Sequence, residues 1–201
     1  MSDYVVVADI GDTLKKLLWE NIKTDSRIHP HIIDSEDDIT LFSPEEMDAG
    51  DTKKLSLFLY QITENPYLKN QEMQSTNSAM LKYVPLALDL FYLITPKTND
   101  RKKDHILLGK VMQTFYDNAI VKGSILQGSL KGTTEELRIT LYSLPFEEMI
   151  RLWNSFSEKS FKLSVCYQVT PIKIDSTRKI EAKRVVEKEA GYYQMSVKRR
   201  R

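Results

Sequence analysis

The chain has 201 residues, 41% hydrophobic and 28% charged, and its 29 basic and 28 acidic side chains leave a formal charge of +1. A chain of this length buries roughly 70% of the surface it exposes when unfolded, so it folds on its own core with no need of disulfides or metal. Its single cysteine, Cys166, excludes an internal disulfide framework and a multi-cysteine zinc site, and suits a reducing compartment.

Val6, Ile10, Leu14, Leu17 and Leu18 recur at helical spacing and predict an amphipathic helix, capped by Asp3 or Asp9 and running to about Asn21. Arg27 to Ile33 then reads as an extended piece, Asp38 to Phe42 as a short strand ended by Ser43-Pro44, and the acidic run through Gly50-Asp51 as a loop. Lys54 to Thr63 alternates as a strand, with Leu55, Leu57 and Leu59 on one face and Phe58, Tyr60 and Ile62 on the other. Two apolar faces predict a central strand covered on both sides. The polar run Lys69 to Ala79 reads as a loop or hairpin tip, and Val84 to Ile94 as a second strand entered at Pro85.

Asp100 is placed to cap a helix with the face Leu107, Leu108, Val111, Met112, Phe115, Tyr116 and Ala119. Gly123, Gly128 and Gly132 punctuate the loop that follows, and Glu136 to Tyr142 alternates as a strand. Ser143 and Glu147 predict the start of a helix with the stripe Phe146, Met149, Ile150, Trp153 and Phe156. A strand from Lys162 to Ile174 presents Leu163, Val165, Tyr167 and Val169 on one face, and Pro171 makes its far half an edge or takes it out of the sheet. Ile180 to Val186 reads as one more strand. The order of elements predicts an α+β fold, a mainly antiparallel mixed sheet flanked by about three helices.

Charge is balanced overall and polarised locally. Asp25 to Asp51 holds nine acids against Arg27, whereas Lys179 onward holds eight basic residues against three acids and finishes in Lys198, Arg199, Arg200 and Arg201. Such polarity steers one subunit's tail toward the next subunit's loop, or leaves two solvated segments.

Catalytic motifs are missing. There is no phosphate-cradling Gly-rich loop, and Gly128-Ser129 lacks the flanks of a nucleophile elbow. His29-Pro30-His31 with Asp34 and Glu36 offers metal-ligand chemistry, and a small hydrolase or a metal-dependent enzyme is the enzymatic reading of those residues. Surface histidines are the commoner reading, and no metal or cofactor is expected. His105 reads as a solvent-facing neighbour of the helix cap, and Cys166 as a small hydrophobe in a strand. Four terminal basic residues without stacking aromatics do not make a nucleic-acid site, and no run of 18 uncharged apolar residues spans a membrane. The first residues show no secretory signal, so the expected place is the cytoplasm, or export by a route that ignores such signals.

Five strings carry a family resemblance: Leu57-Phe58-Leu59-Tyr60-Gln61-Ile62-Thr63-Glu64-Asn65 with Asn70, Pro85 to Pro96, His105 to Gln113, Glu147 to Trp153, and Leu163 to Val169 followed by Ile174-Asp175-Ser176. In this order and spacing, over roughly residues 4–187, the chain resembles the tube-terminator (cap) family of extracellular contractile injection systems. These are phage-tail-like particles typified by the antifeeding prophage and the Photorhabdus virulence cassettes. The acidic segment 34–51 and the basic tail are not secured by the family pattern.

What the resemblance implies is a structural protein and not an enzyme. A phage-tail-terminator-like domain over residues 1–187, with a basic tail over 188–201, would form a homo-oligomeric ring, a hexamer. The ring would sit on the baseplate-distal end of the inner tube, stop polymerisation and meet the last sheath layer. Inner tube protein and sheath protein are the implied partners, with no nucleic acid and no membrane. The particle would be assembled in the cytoplasm and able to be released. A tail-completion or baseplate adaptor of the same particle is the alternative. The expected interface comprises Val165, Tyr167 and Val169 on one strand, Ile180 and Val185 on the next, and Tyr192, Tyr193, Lys198, Arg199, Arg200 and Arg201 on the tail.

Overall fold

The five apolar positions of the first helix are all buried in α1 (Val6–Ile22), one turn of the stripe after another. Its cap position falls on Val5 and uses no side chain, because Asp3 bonds the Tyr4 N–H and Asp9 turns inward. The computed structural model describes residues 3–47, 52–69, 74–77, 80–156 and 160–181. These belong to two units, Met1–Gln71 with Pro85–Asp175, and Glu72–Val84 with Ser176–Arg201.

The first unit is built on a six-stranded sheet. Its strands are β1 (Ile39–Thr40), β2 (Leu55–Glu64), β5 (Leu86–Pro96), β6 (Ile120–Val121), β7 (Leu137–Tyr142) and β8 (Val165–Ile174). They lie in the order β1-β2-β5-β8-β7-β6, antiparallel throughout except for the short β1–β2 pair. One face carries Leu57, Leu90, Tyr92, Ile94, Ile139, Tyr167 and Val169, and is covered by α1 and by α2 (Arg101–Asp117). The other face carries Phe58, Leu93 and Cys166, and is covered by Met149, Trp153 and Phe156 from α3 (Phe146–Asn154) and its end. Helices on both faces of a mainly antiparallel sheet give the α+β class expected.

Two register shifts redistribute side chains. In β2 the shift at Tyr60 places Ile62 opposite Leu90, on the face of Leu57 and not with Phe58 as strict alternation predicts. In β8, Thr170 and Pro171 together oppose Asp89, which returns Ile172 to the face of Val169. Beyond Thr170 the strand has no β7 partner, so the far half is an edge on that side, as Pro171 suggests. Asn65, Asp89 and Thr170 fill the shift. The Asn65 amide donates to Asp89 Oδ1 at 2.9 Å, the Thr170 hydroxyl donates to the same oxygen, and Asn65 Oδ1 accepts the Tyr67 and Leu68 N–H groups.

The structure corrects several local expectations. β2 is not central: β1 pairs only with Leu55 and Ser56, so its far half is an exposed edge. Arg27 to Ile33 is not extended but a series of turns closed by Ile28 N–H to Asp25 C=O and Ile32 N–H to Ile28 C=O. Ser143 does not cap α3; Pro145 holds that position. Phe146 is 71% exposed, and Met112 and Tyr116 flank the buried stripe of α2 without joining it. Asp100 does cap α2, accepting the Lys102 N–H at 2.8 Å.

The second unit holds a three-stranded sheet of β3 (Gln74–Asn77), β4 (Met80–Lys82) and β9 (Lys179–Glu181), in that order and antiparallel. The polar run expected as a loop or hairpin tip thus supplies one strand, β3, paired with β4 just after it. Beside it, the Arg178 guanidinium lies 4.5 Å from the centre of the Tyr83 ring and bonds its hydroxyl at 3.2 Å.

Candidate assembly interface

The residues with metal-binding or nucleophilic chemistry are spread apart. His29 lies edge-on to Trp19 at 5.5 Å, with Nδ1 3.2 Å from the Ile33 carbonyl oxygen, while His31 and His105 face solvent. Among the described residues no three His, Cys, Asp or Glu side chains gather to hold an ion. Cys166 is buried in the cluster that holds Trp153, and burial pushes its thiol up to about 11, far from the thiolate a nucleophile needs.

The acidic segment is largely occupied by its own surroundings. Asp25 bonds the Arg27 backbone N–H and guanidinium and sits 3.4 Å from Lys110, contacts that hold its carboxyl at about 2, well below the usual range. Glu36 pairs with Lys16 and Asp37 with Lys15, each at 3.5 Å. Asp38 accepts the Asp34 and Ser35 N–H groups, and Glu46 accepts that of Ser43. These acids shape turns and anchor them to α1, so few remain as a landing pad for a basic tail; Asp48 and Asp51 lie outside the described residues.

The expected interface strand is the middle of the sheet. From Val165 to Val169, β8 is paired with β5 on one side, and its Cys166–Thr170 stretch with β7 on the other. Tyr167 is 4% and Val169 0% exposed, and Tyr167 stacks edge-on against Phe115 at 4.9 Å. These two are core residues, and Val165 is half-buried beside them. An apolar alternating strand reads the same whether its neighbours come from its own sheet or from another copy, and here they are its own. Ile180 lies in β9 of the second unit, opposite Leu81. Val185, Tyr192, Tyr193, Lys198, Arg199, Arg200 and Arg201 fall outside the described residues.

The surfaces left open are elsewhere. β6 pairs with Leu137 and Arg138, and among the described residues nothing pairs with the outer side of β7 from Thr140 to Tyr142. An apolar groove beside that edge is lined by Met112, Phe115, Tyr116, Ala119, Ile139 and Leu141. On the opposite face Phe146, Phe161 and Leu163 are exposed around Trp153, with Phe161 5.7 Å from the indole. Sequence reasoning missed these because helical spacing assigns Met112 and Tyr116 to the core. The surplus width of α2's apolar stripe was the available signal.

The fold matches one solved for a sheath/tube terminator. The solved structure described as the PVC sheath/tube terminator of an extracellular contractile injection system, in its extended state, is similar over 98% of this chain and 66% of that one, with a TM-score of 0.63 and 15% identity. The chain belongs to the family described as the Pvc16 N-terminal domain, which matches residues 9–188. The anti-feeding prophage tube-terminating cap is also similar, at 19% identity over 68% of this chain and 48% of that one, with a TM-score of 0.47. The chain thus spans about two thirds of the terminator and about half of the cap. No curated protein sequence matches it.

Proposed function

We propose that this chain is a structural cap, which forms a ring on the baseplate-distal end of the inner tube of a contractile injection particle. There it stops polymerisation and joins the tube to the last sheath layer. The observation that carries the reading is the terminator fold extending over nearly the whole chain, with family membership across residues 9–188. The physical logic agrees. A tube end is a template for the next ring, so a terminator must match that end on one face and present no copy of it on the other. Six heterologous contacts close a ring, and stable contacts of that kind bury more than about 1,000 Å² each.

The cap works without bond chemistry, cofactor, membrane or nucleic acid; its partners are further copies, the inner tube protein and the sheath protein. Assembly takes place in the cytoplasm, in a particle that is then released. No described helix is long and apolar enough to cross a membrane. Imaging particles that carry a labelled copy tests the placement. The label should lie only at the baseplate-distal end, as a six-membered ring; label at the baseplate would select a baseplate adaptor instead.

A further inference from the structure

We infer that the open edge of β7 is the acceptor for a strand formed by residues 192–197 of a second copy. The edge has unmet backbone chemistry. The Ile139 N–H points outward to the Ala119 carbonyl at 2.9 Å, and strand alternation makes Leu141 the next residue whose N–H and C=O point the same way. Among the described residues nothing pairs with Leu141 on that side. Leu141 is also 46% and Tyr116 85% exposed, so among the described residues the adjoining groove has an apolar wall and no cover.

The two sides of this edge differ, and that difference selects the occupant. On the α2 side lie Met112, Tyr116 and Leu141; on the other side Thr140 is exposed opposite Gln168. An added strand must therefore be apolar on one face and polar on the other. Tyr193-Gln194-Met195-Ser196-Val197 has that pattern, with Tyr193, Met195 and Val197 for the groove and Gln194 and Ser196 beside Thr140, while Tyr192 falls on the side of the partly exposed Tyr142. Ten residues, 182–191, separate it from the end of β9 and give it up to about 35 Å of reach. That a second copy supplies the strand rests on the ring reading above: a closed ring of identical subunits needs two unlike surfaces on each, here a projecting strand and an open edge.

Disulfide trapping in the full chain tests this, because the native Cys166 is buried and unreactive. Thr140→Cys combined with Gln194→Cys, or with Ser196→Cys, should give a ladder of covalent multimers on mild oxidation, which collapses on reduction. Uncrosslinked chains, or only internally crosslinked monomers, would overturn the inference. Hydrogen exchange gives a second reading. The Leu141 amide should exchange at least tenfold faster in Met195→Asp than in the parent chain, and equal rates would also overturn it. Rings that form and cap tubes without the crosslink defeat this inference alone. A covalent ladder from chains that ignore tube ends upholds it and defeats the capping function.

Discussion

Gly128→Ala tests how the loop after α2 is fastened to α1. Gly128 has φ +56, a left-handed conformation that costs an L-residue roughly 1–2 kcal/mol. A methyl group there would collide with Oδ1 and Cγ of Asp9, so the carboxylate must swing away. It would then release the Ser129 N–H, held at 2.8 Å, and the Ser129 hydroxyl, bonds to a charged group worth about 1.5–3 kcal/mol. Alanine recovers about 0.4–1 kcal/mol by restricting the unfolded chain. The expected net loss is about 2–4 kcal/mol, seen as a fall in Tm of about 4–16 °C. Chemical denaturation of Gly128→Ala, Asp9→Ala and the double variant resolves the cause. In the Asp9→Ala background the glycine substitution should keep only its backbone cost, so the two losses should be strongly non-additive. A loss below 0.5 kcal/mol, or losses that add within about 0.5 kcal/mol, would refute the reasoning.

Asp89→Ala should cost about 2–4 kcal/mol by leaving Asn65 and Thr170 with unmet polar atoms, read by denaturant titration; a neutral variant would show that the network adds nothing. Trp153→Ala should cost about 3–5 kcal/mol and open the path to Cys166, so that a thiol reagent labels the folded variant and spares the parent chain. Stable, unlabelled Trp153→Ala that fails to assemble would assign the indole to an interface. Asp25 has a folded pKa of about 2 against an ordinary 3.8, so its stabilisation is full above about pH 4 and is lost as pH falls through 2. Asp25→Asn should therefore be less stable than the parent at neutral pH, with the gap largely closed at pH 2 and gone below it; a gap that keeps its neutral-pH size there would contradict the ion-pair account.

Much of the fold is legible in single residues. The cap at Asp100, the entry at Pro85 and the stripe of α1 are local signals, settled by backbone chemistry within one turn. What the sequence hides is set by distant partners. The centrality of β8 depends on β5 and β7 arriving from elsewhere in the chain, and no alternation reveals which strands fill its two sides. The shift at Tyr60 moves Ile62 across the sheet, an insertion no period-two pattern marks in advance. Asp89 stands out as an acid inside the apolar run Leu86 to Ile94, a legible anomaly, yet its partners Asn65 and Thr170 lie far from it in sequence. On the interface side, an exposed Tyr116 reads as core because spacing cannot tell the outer flank of a helix stripe from its floor.

Tube length measured against added cap is the most direct test of the central claim. Purified tube protein, assembled with increasing amounts of this chain and imaged by electron microscopy, should give tubes that shorten and narrow in length distribution, each ending in one ring of this subunit. Tubes of unchanged and uncontrolled length, with bare ends at saturating amounts of the chain, would contradict it.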